Sequence, residues 1–87
     1  MTVGDFLQAR QDLVTLREAE PRLVLPGMFR RVEQIERLIR QNLGINQTEP
    51  LALYQEMELG GEVAEFVLNF CSEVGRMALV YSQACVS

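Results

Sequence analysis

Residues 62–84 read EVAEFVLNFCSEVGRMALVYSQA, and this stretch decides the fold. Stepped at 100° per residue, Glu62, Glu65, Asn69, Ser72, Glu73, Arg76 and Gln83 fall in one sector of about 100°. Almost everything else around the helix is apolar or small. Val63, Phe66, Val67, Phe70, Val74, Met77 and Tyr81 form a sector of large residues, and Ala64, Cys71, Gly75, Ala78 and Ser82 a sector of small ones. A surface helix in a monomer usually carries one apolar stripe. This one offers two burial faces, which predicts a long C-terminal helix at the centre of a helical bundle.

The small residues have a spacing of their own. Cys71, Gly75, Ala78 and Ser82 follow at intervals of four, three and four, so they stack along one line and admit another helix backbone at close range. A glycine inside a helix costs about 1 kcal/mol against alanine and is usually tolerated for a packing reason. Two readings of that reason stay open: close packing on an earlier helix of the same chain, or a seam with a partner. The supply of covering surface favours the seam, because the preceding segments are short or offer a single stripe. Phe70, Cys71, Val74, Gly75, Met77, Ala78, Tyr81 and Ser82 are the expected seam residues. A self-complementary patch covered by a second copy is the commonest arrangement among soluble oligomers; a helix from a different protein is the other completion.

Working toward the N-terminus, residues 50–59 read as a short third helix with Thr48 as its N-cap, Glu49 and Pro50 in its first turn, and Gly60-Gly61 ending it. Met28, Val32, Ile35, Ile39 and Leu43 make the apolar stripe of a second helix, with Arg30, Glu33, Arg37 and Arg40 opposite. Gly44 followed by Ile45 fits a left-handed C-cap. The first helix should span residues 3–20, opened by Thr2 with Asp5 as a capping pair and stopped by Pro21. Residues 21–27 then read as an extended connector. No period-two run and no internal repeat stands out. The expectation is therefore a single all-α domain over residues 1–87, a small bundle of about four helices completed by dimerisation.

Arg10 and Arg17 point within about 40° of the middle of the first helix's apolar arc. Either their stems lie on apolar surface with the guanidiniums reaching solvent or a carboxylate of the same chain, or they flank the interface and fork onto an acid there. Glu65 and Glu73 are candidate acceptors in both cases. Charge is divided along the chain: residues 1–45 hold seven Arg against six acids, and residues 46–87 one Arg against six. Glu49, Glu56, Glu58, Glu62 and Glu65 are either a solvated face or a docking surface for a basic partner.

Composition removes many functions. The chain has 87 residues, no His, no Lys, no Trp and a formal charge of −4. Without His it lacks the one side chain that titrates near neutrality unperturbed, and the commonest metal ligand. Gly60-Gly61 is not a phosphate loop, Cys71 has no histidine base, and the Glu-x-x-His pattern of bundle metal sites is missing. No enzymatic role and no cofactor or metal are expected. The acidic balance argues against general nucleic-acid affinity. A regulator touching phosphate through Arg30, Arg37 and Arg40 is the alternative, weakened by Glu33 within the row and by the lack of interleaved aromatics. Residues 63–86 contain Glu65, Asn69, Glu73 and Arg76, too many polar groups for a membrane span. No N-terminal signal pattern is visible, Asn46-Gln47-Thr48 is read as a chance glycosylation match, and a cytoplasmic location is expected. Cys71 and Cys85, 14 positions apart in one helix, stand roughly 21 Å apart, too far to pair with each other. The functional expectation is a non-enzymatic adaptor, regulator, inhibitor or chaperone-like subunit working by helix packing.

Overall fold

A computed structural model describes the backbone of residues 1–86 and the side chains of residues 1–85. The chain is all-α, with no strand among the described residues. Its helices are α1 (Val3–Ala19), α2 (Met28–Leu43) and α3 (Gly61–Val86), joined through two 3-10 turns, Pro21–Leu23 and Leu51–Tyr54. Phe6 meets Phe70 ring to ring, with centroids 5.8 Å apart, and the turn after α1 packs on α3, so α1 and α3 run parallel. Arg31 pairs with Glu73, while Leu38 and Phe66 line the same cleft, so α2 runs antiparallel to α3. The core lies where the three helices converge, on Phe6, Leu13, Ile39, Val67 and Phe70, all fully buried.

The capping pair forms as the sequence predicts. The Thr2 backbone N–H donates to Asp5 Oδ2 at 2.8 Å, and the Asp5 N–H donates to Thr2 Oγ1 at 3.3 Å. Removing the hydroxyl in Thr2→Ala should cost about 1 kcal/mol in chemical denaturation. The backbone N–H of Thr2 first, and second its hydroxyl, which donates to Asp5 Oδ2 at 3.2 Å, hold the Asp5 carboxyl below its ordinary value. A depressed folded-state pKa contributes stability that is complete above the unfolded value and is lost as pH falls through the folded one. The thermal midpoint should therefore drop more steeply below a pH of about 4 in the parent chain than in Asp5→Asn. An identical slope in both would remove this assignment.

Residues 50–59 depart from the expected helix. Only the 3-10 turn Leu51–Tyr54 forms, capped by Pro50 rather than Thr48. The chain then turns at residues 55–56 and runs past the N-terminus: the Val3 N–H donates to Met57 O at 3.0 Å, the Gly4 N–H to Gln55 O at 2.9 Å, and the Leu59 N–H to Met1 O at 2.8 Å. A single antiparallel bridge joins Thr2 and Glu58. These carbonyls take up amide groups that open a helix and find no partner inside it. A Cβ on Gly4 would lie 3.0 Å from the Gln55 carbonyl oxygen. Gly4→Ala should thus destabilise the chain, although alanine is ordinarily the better helix former; a gain in denaturation midpoint would contradict the close approach.

At the end of α2, Gly44 takes the left-handed conformation with φ 67°, and the buried Ile45 donates its N–H back to Arg40 O at 2.9 Å. The connector after α1 begins with the Pro21–Leu23 turn rather than fully extended chain. α3 has 26 residues against 17 and 16 for its neighbours, so at 1.5 Å per residue it outruns them by about 14 Å. Its buried positions run from Val63 to Met77, and the last turns have little to cover them.

Candidate functional site: the outward face of α3

Large apolar side chains are exposed at Leu25, Leu53 and Met57 and at four positions of α3, Phe66, Leu68, Leu79 and Val80. Of these, Leu68 is 54% and Leu79 59% exposed. On the helix they share a side with Cys71, Gly75 and Ser82, at intervals of three, four, four and three residues. A Cβ on Gly75 would meet no atom within 4 Å. The row itself carries no charge, with Glu65 and Arg76 along one flank; its rim on α1 is Asp5, Gln8 and Asp12, across a groove of about 360 Å³ floored by Ala9, Cys71 and Ala78.

The expected seam residues divide between core and surface. Phe70, Val74 and Met77 are buried in the chain's own core, because they share the side of α3 that covers Phe6 and its neighbours. They are spent on folding and present nothing to a partner. Cys71, Ala78 and Tyr81 are half-buried, and Gly75 and Ser82 are exposed. The close-packing reading therefore holds in part, since α1 flanks the small row without covering Gly75. Leu68 and Leu79 are the residues that sequence reasoning missed. Their wheel positions beside Gly75 were the available signal, hidden because the small residues alone defined that sector.

Cys71 donates to the Asp5 carbonyl oxygen at 3.7 Å. Burial first, then the charges of Asp5 and Asp12, push its thiol pKa up. It is a poor nucleophile. Cys71 and Cys85 are both free thiols.

Arg10 and Arg17 are used within the chain. Arg10 pairs with Glu36 at 3.4 Å and sits 5.8 Å from the Phe6 ring centre, while Arg17 lies 4.3 Å over the Phe29 ring. Neither expected acceptor receives them: Glu73 pairs with Arg31, and Glu65 is exposed. Both arginines lie on the α2 side of α1, away from the outward face of α3.

The proposed phosphate row is also broken. Arg40 bonds the Asn46 and Glu49 carbonyl oxygens at 2.7 and 2.8 Å and pairs with Glu36 at 3.3 Å. It is a strut holding the loop after α2. Arg30 and Arg37 are exposed. Arg40→Met, which keeps the stem and removes the donors, should cost about 1–3 kcal/mol, read by denaturant midpoint. Of the acidic cluster, Glu49 accepts the Tyr54 hydroxyl, Glu58 lies 3.4 Å from the N-terminal amine, and Glu56, Glu62 and Glu65 are exposed.

A second concavity lies between α2 and α3, about 890 Å³ in volume, over Ile35, Leu38 and Phe66. Phe66, placed by its wheel position among the core residues, is 47% exposed there, because it sits at the margin of the buried arc.

Among the described residues no group of three or more His, Cys, Asp or Glu could hold a metal ion, and no helix is long and apolar enough to cross a membrane. Comparison with known proteins gives no match: no family model fits the sequence, and no curated protein or solved structure is significantly similar.

Proposed function

We propose that this chain is a non-enzymatic protein-protein interaction module that associates with a second copy of itself through the outward face of α3. One observation carries the reading: the face is complementary to its own reverse. Turned end for end about Gly75, Leu68 stands opposite Ser82, Cys71 opposite Leu79, and Gly75 opposite itself. Every large side chain meets a small one, and the residue without a side chain marks the axis. Such mutual contact is what a two-fold interface requires. A mean spacing of 3.5 residues keeps the row facing its partner.

The flanking side chains on α3 accept this register. Glu65 comes nearly level with Gln83 of the partner subunit, and Ser72 with Arg76 of the partner subunit, while the two copies of Arg76 stand one position either side of the axis, exposed, so that their guanidiniums swing into solvent. The two-fold axis leaves both copies of α1 on one side of the helix pair, each carrying Asp5 and Asp12. Those acids oppose association, and added salt should strengthen it.

Area sets the affinity. A strip of α3 about 30 Å long and one helix wide gives on the order of 300 Å² per copy. With the α1 rim the total stays near or below the roughly 1,200 Å² at which standard interfaces begin, which corresponds to micromolar association. Sedimentation velocity over about 5–500 μM should show a monomer passing to a dimer, with Cys71 alkylation slowing as the dimer forms while Cys85 remains reactive. A monomer at every concentration and an unchanging Cys71 rate would remove the proposal.

A further inference from the structure

The cleft between α2 and α3 opens at Phe66 on the side of α3 opposite Leu68 and Leu79, and it reaches the edge of the seam only at Ser72 and Arg76. Its volume of about 890 Å³ is at the upper end of the roughly 300–1,000 Å³ usual for ligand sites, and it is an open trough with a helix as each rim. The floor is apolar. Three arginines, Arg31, Arg37 and Arg76, line it against one carboxylate, Glu73, in a chain whose net charge is −4. Arg31 is neutralised by Glu73. Arg37 and Arg76 have no ion pair among the described residues, although Arg37 also borders a concavity with Glu33 and Glu36, so the trough's own lining carries a net positive charge over an apolar floor.

The geometry points to a docking site for an acidic amphipathic helix of another protein. Leu38 beside Phe66 and Arg31 beside Glu73 set the register of the two rims, which puts Arg37 level with about residue 67. Arg76 is then roughly 13 Å further along. A helix laid in the trough meets both arginines with carboxylates two to three turns apart, and its apolar side between them rests on Phe66 and Leu38, the helix-in-groove mode of recognition. A compact anion reaches only one of the two. A nucleic acid would have to set its phosphates against Glu73 and an apolar floor.

The test uses the full chain and three stapled four-turn helical peptides, labelled for fluorescence anisotropy. They share the same leucines and carry Glu, Gln or Lys at the polar sites. The Glu peptide should bind about tenfold or more tighter than the Gln peptide, with a salt-dependent affinity. The Arg37→Glu/Arg76→Glu variant should lose that preference and gain the Lys peptide. Both arginines are exposed, so the variant should keep its helical circular dichroism, and Phe66→Ala should weaken the Glu peptide without reversing the charge preference. Gly75→Leu should bind the Glu peptide like the parent, which separates this site from the seam. Equal binding of all three peptides, or a Glu peptide indifferent to the double variant, would overturn the proposal. So would binding of dodecanoate, followed by calorimetry, by a chain that binds none of the peptides, which would make the occupant a small anionic amphiphile.

Discussion

Replacing Gly75 by leucine should weaken the proposed dimer at least about thirtyfold and leave a monomer more stable than the parent monomer. The two halves of that result come from one position. Beyond its chain neighbours and the helix's own backbone, no atom lies within 4 Å of a Cβ built there, so a methyl group meets no other part of the monomer. An interior helical glycine is also less favourable than alanine by about 1 kcal/mol. Gly75→Ala should therefore raise monomer stability by roughly 0.5–1 kcal/mol, and Gly75→Leu by a similar amount. At the seam the order reverses. The backbones approach most closely at the two-fold axis, and two leucines placed there force the helices apart and lift Leu68 and Leu79 off their small partners. Association should fall at least about thirtyfold for leucine, equivalent to roughly 2 kcal/mol, and less for alanine. Denaturation of dilute protein and sedimentation at high concentration read the two effects separately. A Gly75→Leu chain that associates like the parent, or one that unfolds more easily when monomeric, contradicts the account.

Phe70→Ala should be the most destabilising single change in the chain. Phe70 is fully buried, packs on Phe6 at 5.8 Å, and has the Arg31 guanidinium 5.8 Å from its ring centre. It thus joins α1, α2 and α3 at one point. Truncating a buried phenylalanine costs about 3–5 kcal/mol through lost burial and the cavity left behind. A chain of this length has only about 4–13 kcal/mol in total. The variant should be partly unfolded near room temperature, or melt with a much lower midpoint. Leu79→Ala, which removes a comparable apolar group from the outward face, should leave the monomer's stability nearly unchanged and weaken association instead. This pair separates the two sides of α3: one holds the chain together and the other is available. If Leu79→Ala destabilised the dilute chain as much as Phe70→Ala does, the outward face would belong to the monomer core.

The helices were legible where their signals are local. Thr2 and Asp5 open α1, Pro21 follows its end, and Gly44 with Ile45 closes α2; each needs only residues within a turn of itself. The segment after Pro50 was not legible, because its conformation answers Met1, Val3 and Gly4, more than fifty positions away, and no short window contains that demand. α3's three sectors were readable from periodicity, but which sector faced inward was not. That depends on how far each neighbouring helix rotates about its own axis, and the answer placed Phe70, Val74 and Met77 inside while leaving Leu68 and Leu79 outside. The arginine partners were hidden for a related reason. A guanidinium can swing to several acids, and only packing decides that Arg10 takes Glu36 and Arg31 takes Glu73. The α2/α3 trough has no sequence signature, since it arises where two helices diverge over Phe66.

The central claim is the antiparallel register about Gly75, and a disulfide tests it most directly. In a chain with Cys85→Ser and Leu79→Cys, the new thiol should stand opposite Cys71 of the partner subunit, within the roughly 7 Å between Cα atoms that a disulfide requires. Mild oxidation at about 100 μM should give a covalent dimer joined by two bridges between positions 71 and 79, identified by mass spectrometry of the peptides, whereas the Cys85→Ser and Leu68→Cys chain should give little. A dimer joined through Cys71 to Cys71, or bridges formed equally in both chains, would contradict the register and with it the function proposed for α3.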